Sequence, residues 1–436
     1  MKLRITSIGL LLGLAACGGS DDGGNSGFNP PASGFAQCSV ADQNAVWFSY
    51  LQDWYYWYQD LPTGIDAQQY ASPAAMLADV KVAADRFSFM MSQADYDAFF
   101  NSGTFFGYGA SFDRDESTDY FRVRYVFSGS GAESAGLQRG DRVTHINGFS
   151  VTDINAQQMS NEAVFGPDQD GFTIDVRYIT PNDETLDRQM VKGTVNTNTV
   201  FDSRLLNTNA GQVAYLSFQH GFIEPSSAEL QTAFGQFAAA NPRQMILDLR
   251  YNGGGRLSVS QLLSSLAGGD NSLGNNYATL QYNNKHTDAN FTFAFLNETN
   301  KLNLDRLIVL TTDATCSASE AVINGLSPFI DVVTVGETTC GKPVGMSPQS
   351  YCEQVMSAIN FQVVNHQGNG DYFNGINASC TINDQIRVDW AQSGDPVFDE
   401  ALQYAENGAC STAVNKYVPT EKSRFSGEAF IGKDLH

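Results

Sequence analysis

From residue 46 onward the apolar positions fall into three successive rhythms. In VWFSYLQDWYYWY (46–58), Trp47, Leu51, Trp54 and Tyr58 recur at helical spacing, which predicts a helix with one aromatic face buried. Helix and turn continue through SPAAMLADVKVAADRFS towards residue 100. Between Gly107 and about Val195 the period shortens to that of strands, in YFRVRYVF, DRVTHING, GFTIDVRYI and LDRQMVKG, with turn residues between them. From 196 to about 412 apolar strands (QVAYLSF, QMILDLR, RLIVLTT, DVVTVGE) alternate with helices (LSVSQLLSSLA, SASEAVINGLS). Strand, crossover helix, strand implies a mostly parallel or mixed α/β sheet. The fold class expected is therefore multi-domain α/β. It has a small helical region at 37–100, a β module at 101–195 and a mixed-sheet α/β core at 196–412.

The ends of the chain read differently. Lys2 and Arg4 precede an apolar run that closes on Leu14-Ala15-Ala16-Cys17, the pattern of an export signal and too short to span a bilayer. The LAAC ending resembles a bacterial lipobox, in which the cysteine becomes the lipid-modified first residue. That resemblance makes residues 1–17 a lipoprotein signal peptide and Cys17 a membrane anchor. It places the protein in the bacterial cell envelope, facing the periplasm or the exterior. Gly18 after the cysteine favours the outer membrane. Residues 18–36, rich in Gly, Ser, Asp and Pro, read as a flexible tether, and 413–436 as a tail outside the core.

Charge narrows the partners. The formal net charge is −22, and losing Lys2 and Arg4 with the leader makes it −24. Such a surface repels phosphate backbones, which argues against nucleic acid. Apart from Cys17 the chain holds six cysteines, an even number that in an exported protein predicts up to three disulfides. Closeness in sequence favours Cys316 with Cys340 and Cys352 with Cys380, leaving Cys38 for Cys410.

SGSGAESAGLQRGDRVTHINGFSV (128–151) resembles the PDZ domains of bacterial proteases. The matching positions are the helix end Ala135-Gly136-Leu137, the turn Gly140-Asp141 and the hairpin signal Asn147-Gly148, which tolerates positive φ. Upstream, Gly107-Tyr108-Gly109-Ala110 resembles the PDZ carboxylate-binding loop, whose N–H groups hold a peptide's C-terminus while the peptide adds to a sheet edge. A Gly-rich turn without a ligand is the plainer reading. The resemblance implies protein or peptide partners with free, apolar C-terminal tails.

The candidate chemistry lies in TTDATCSASEAVINGL (311–326). An apolar strand runs into a turn and then a helix, which sets Ser317 on the turn beside helix N-terminal amides able to stabilise an oxyanion. Lys342 follows 25 residues later in the Gly-bounded turn of VVTVGETTCGKPVGM. These segments resemble the C-terminal processing peptidases, in which SASE precedes GE-x-T-x-GK at this same offset. The resemblance implies a serine endopeptidase with Ser317 as nucleophile, Lys342 as general base and no metal or organic cofactor. A third segment, MILDLRYNGGGRLSVSQLL (245–263), matches the strand and Gly-rich turn that lend an oxyanion-hole amide. Gly254 or Gly255, with the amide of Ala318, is the implied pair.

A serine hydroxyl needs a neighbouring neutral base, and lysine serves only if burial disfavours its ammonium. Lys342 is thus expected to be buried, with no carboxylate in salt-bridge range. One position departs from the family: Met346 stands where a glutamine commonly orients the lysine, leaving Gln349 or a backbone carbonyl for that role. Two rivals to the dyad are a histidine mechanism through His220, at the end of a core strand, and Cys316 as nucleophile. Glu320 reads as a first-turn residue favoured by the helix dipole, and Asp248 with Arg250 as a pair holding the Gly-rich turn. The family resemblance covers roughly residues 100 to 410. A reading of another class, a non-catalytic peptide- or ligand-binding lipoprotein on the same fold, has no need of a serine and a lysine at this spacing.

Overall fold

In the computed structural model, residues 38–114 and 118–411 are described, so Cys17, the 18–36 tether and the C-terminal tail lie outside the described residues. Helix α1 (Val40–Trp54) starts at Ser39, whose side chain accepts from the Asp42 N–H at 3.2 Å. Trp47, Leu51 and Trp54 are buried, as their spacing predicts. The helix stops at Trp54 instead of running to Tyr58, because the Tyr56 N–H leaves for the Ile359 carbonyl at 2.8 Å. Tyr58 begins a short 3₁₀ turn and is only half-buried.

The β module is an antiparallel sheet ordered β1 (Ala110–Asp113), β2 (Phe121–Val126), β3 (Arg142–Ile146), β4 (Thr173–Ile179) and β5 (Thr185–Val191), with Phe149–Ser150 also pairing β3. It has its own apolar core around Val123, Val143, Ile146, Val176 and Met190. A two-stranded neck, Thr104–Gly107 against Gly193–Asn196, joins it to the rest.

The central sheet is ordered β6 (Val200–Thr208), β7 (Gly211–Phe218), β8 (Gln244–Asp248), β9 (Arg306–Thr311), β10 (Asp331–Gly336) and β11 (Cys380–Thr381). All pairs are parallel except the hairpin β6–β7. Alternate residues serve two cores. Leu216, Leu247, Leu307 and Val309 face helices α2 (Leu257–Gly268) and α3 (Ala318–Leu326), while Tyr215, Ile246, Ile308 and Leu310 face helix α4 (Pro396–Asn407). Burial on both faces is why these strands read as continuous apolar runs.

Three features were not expected. The aromatic side chains of α1 belong to the same core as the central sheet, and Phe89–Ser92 pairs with Gln354–Ser357, so the 37–100 region is no separate body. A second antiparallel sheet, Phe291–Ala294, Asn276–Tyr282, Ile359–Asn365 and Val344–Met346, flanks the lysine turn. The disulfides are Cys316–Cys340, as expected, but Cys38–Cys352 and Cys380–Cys410 in place of Cys352–Cys380 and Cys38–Cys410. Sequence proximity could not have separated the choices for Cys380, since Cys352 and Cys410 are almost equally distant along the chain. The fold decides: Cys352 lies on the hairpin beside the N-terminal region, and Cys410 follows α4, which packs near the β11 edge.

Arg250 is fully buried, with Asp248 at 2.7 Å, Asp395 at 2.8 Å and Asp384 at 3.0 Å. Arg139 of the β module joins this cluster, donating to the Tyr251 hydroxyl at 3.0 Å. Among the described residues no helix is long and apolar enough to cross a membrane. Arg250→Met removes the guanidinium that three carboxylates share and is expected to lower unfolding free energy by about 3–5 kcal/mol. Urea unfolding followed by tryptophan fluorescence measures it.

Candidate active site

Ser317 occupies the residue before α3 with φ +56° and ψ −112°, a left-handed conformation that a serine adopts only when its surroundings impose it. Three sets of contacts impose it here. The Cys316 N–H donates to the Asn252 carbonyl at 3.1 Å, and the Ser319 hydroxyl to the same oxygen at 2.9 Å. The Ser317 N–H donates to Glu320 Oε2 at 2.9 Å. Gly254, at φ +98°, approaches so closely that a Cβ there would lie 2.7 Å from the Ser317 Cβ and 2.9 Å from the Ala318 nitrogen. Only glycine fits beside the serine.

Glu320 does more than complement a helix dipole. Its buried carboxylate accepts from Ser317 N–H at one turn. At the other it accepts from Gly341 N–H at 2.9 Å, Lys342 N–H at 2.8 Å and the Thr339 hydroxyl at 2.5 Å. Burial pushes the carboxyl up from its usual range and these donors pull it back. A charge that no solvent reaches is thereby stabilised by the backbone of both turns. The Cys316–Cys340 disulfide adds a covalent link between the same two segments, one residue before Ser317 and two before Lys342.

Lys342 is buried, as its proposed chemistry requires, with Nζ 5.1 Å from the centre of the Phe87 ring. Burial lowers its pKa to about 8, and the carboxylates of Asp85 and Glu320 oppose that fall. Two carboxylates, Asp85 and Glu320, act on the amine electrostatically, and each is held by backbone N–H groups. Ser317 and Lys342 line one cleft whose walls are largely apolar, including Leu257, Leu280, Phe293, Val344 and Phe361.

The other expected residues divide. Gly255 lines the cleft, the Gly254 N–H donates to Asn252 Oδ1 at 3.0 Å, and Ala318 opens α3. Met346 lines the cleft, while the Gln349 amide donates to the Ser347 carbonyl at 3.1 Å. His220 does not reach the cleft but sits buried among Phe99, Phe105 and Phe127, and burial lowers its pKa to about 4. Cys316 is a disulfide half and no nucleophile. Gly107 ends a neck strand, and Tyr108 is buried and donates to the Phe165 carbonyl at 2.9 Å. Gly109 has φ +84°, and Ala110 opens the edge strand β1. Asn252, Asp85 and Phe87 had no assigned role. Asn252 had a signal, since it opens the Gly-rich turn; the other two lie in a segment read only as helix and turn.

The family model "Peptidase family S41" matches residues 209–378, and "Peptidase S41 N-terminal domain" matches residues 42–89. The carboxy-terminal processing protease CtpA of Bacillus subtilis (strain 168) is 27% identical over 251 residues, 57% of this chain and 50% of that protein. The carboxyl-terminal-processing protease of Picosynechococcus sp. is 24% identical over 242 residues, 55% of each. The chain thus spans about half the length of these curated relatives. An S41-family protein of Bacteroides fragilis NCTC 9343, known from a crystal structure, shares the fold at TM-score 0.66 and 24% identity. That match covers 82% of this chain and 96% of that one.

Removing the shared acceptor tests the geometry. Glu320→Ala leaves three N–H groups and a hydroxyl without it and is expected to cost about 3 kcal/mol or more of stability. The Gly341 and Lys342 amides should lose protection in hydrogen exchange, and unchanged protection would contradict the tie.

Proposed function

The chain belongs to peptidase family S41, and from that premise we propose that it is a serine endopeptidase with a Ser317–Lys342 dyad. The observation that carries this reading is the convergence of a strained serine at a helix N-terminus and a buried lysine of lowered pKa on one cleft. With its amine neutral, Lys342 takes the Ser317 proton as the hydroxyl attacks a peptide carbonyl. The amides of Ala318 and Gly255 face the oxygen that becomes negative, in the way preorganised donors stabilise a tetrahedral intermediate. Lys342 returns the proton to the leaving amine, and water then attacks the acyl-enzyme by the same route. The apolar walls suit an apolar side chain next to the scissile bond.

The β module is proposed to act as the PDZ-like receptor for substrate tails. Its edge strand β1, directly after Gly107-Tyr108-Gly109, is the position where an extended peptide adds to a sheet. Export is supported by the three disulfides, which persist in oxidising compartments, and anchoring through Cys17 by the leader pattern. The proposed setting is the cell envelope, with the lipid anchor in the membrane and an outer-membrane placement favoured by Gly18.

Cleavage of an unfolded protein with an apolar C-terminus should vanish in Ser317→Ala. Equal cleavage by both forms would remove Ser317 as nucleophile, and none by either would favour a binding protein. In the wild type kcat/KM should rise with pH through about 8, because the base must be uncharged and Lys342 loses its proton there. Thiol reductant should lower the rate by freeing the serine turn from the lysine turn. A rate indifferent to reductant, with the thiols shown to be free, would assign the bridge to stability alone.

A further inference from the structure

Residues Asp85 to Ser88 form a strap from the N-terminal region that reaches the lysine turn. Asp85 is buried and organises it: Oδ1 accepts the N–H groups of Phe87 (3.0 Å) and Ser88 (2.8 Å), and Oδ2 accepts the Tyr55 hydroxyl (2.7 Å). The Arg86 guanidinium donates to the Cys340 carbonyl at 3.1 Å, two residues before the lysine. Ser88 closes the strap, accepting the Ile359 N–H on its hydroxyl at 2.9 Å. Between these fixed points the Phe87 ring, itself buried, lies under the Lys342 Nζ.

A strap made only for packing has no reason to place a ring beneath the amine of the proposed base and a buried carboxylate nearby. Resting on the Ser317–Lys342 reading, we propose that this strap is part of the catalytic apparatus, with Phe87 and Asp85 as positioning residues for the Lys342 amine. A ring face and a carboxylate both favour ammonium over amine, whereas burial disfavours it. The strap therefore tunes the base against its own desolvation. The other charged or titratable groups on the elements around the lysine include Glu320 on α3, Arg86 on the strap, Tyr55 bonded to Asp85, Tyr96, Tyr372 and Arg256 along the cleft, and Asp313, which shares a second cavity with Cys340 on the strap side. Phe87 and Asp85 can be altered while these stay in place.

The test is the pH dependence of kcat/KM, on the same unfolded substrate, for the wild type, Phe87→Leu, Phe87→Tyr, Asp85→Asn and Lys342→Met. Phe87→Leu keeps the site dry but removes the ring, so the acidic limb should move to lower pH by roughly half a unit or more. Phe87→Tyr should keep the wild-type limb. Asp85→Asn preserves an acceptor for the Phe87 and Ser88 N–H groups while removing the charge, and its limb should also move down. It decides the matter if a thermal melt shows Phe87→Leu to be unfolded. A uniform loss of rate with the limb unmoved in folded variants would overturn the proposal and leave the strap a structural support. Lys342→Met separates the two ideas. Retained cleavage in that variant removes the dyad itself, whereas its loss, with unmoved limbs in the strap variants, removes only the strap's role.

Discussion

A single buried carboxylate holds the two halves of the site in register. Ser317 and Lys342 belong to loops that leave different strands of the central sheet, and nothing in their own conformations would keep them side by side. Glu320 accepts hydrogen bonds from the backbone of both, at 2.9 Å on the serine side and 2.8 to 2.9 Å on the lysine side. In a low-dielectric interior such charge-assisted bonds are strong, and the alternative is an unsolvated charge. The two loops therefore have one arrangement in which the carboxylate is satisfied. The left-handed serine, the close glycine at 254 and the disulfide all presuppose that arrangement.

Around this tie the environment of the lysine is a balance rather than a simple apolar pocket. Desolvation alone would drive the amine strongly towards neutrality. Two carboxylates restrain the fall, which leaves its pKa at about 8, and an aromatic face lies against the amine. A base whose proton affinity sits close to the working pH is the more effective one. Both carboxylates are also capped by backbone N–H groups, which stabilise their charge inside the protein.

Much of this was legible in the sequence. The apolar runs from 212 to 337 gave the parallel strands because both faces of the sheet are buried, and Ser317 and Lys342 sat in turns marked by their own motifs. What stayed hidden was long-range. Asp85 and Phe87 carry no local mark, since their role comes from a neighbour more than two hundred residues away. Glu320 looked sufficient as a first-turn acid, and its contacts with 339–342 are invisible until the turns meet. The disulfide partners of Cys352 and Cys380 depended on which sheet edge each reached. The hairpin from 276 to 294 was missed because its mixture of Asn, Thr and aromatic residues shows no clean alternation.

The distribution of the first aromatic helix has a bearing on biogenesis. Its Trp47 and Trp54 complete a core built with residues as far along as Phe361, and Cys38 is bridged to a cysteine 314 positions later. Such contacts are of very high order, and they cannot close until most of the chain has left the ribosome. During that interval the aromatic face has no partner. A chain cut short before residue 352 would lack both the bridge to Cys38 and the Ile359 carbonyl that ends the helix.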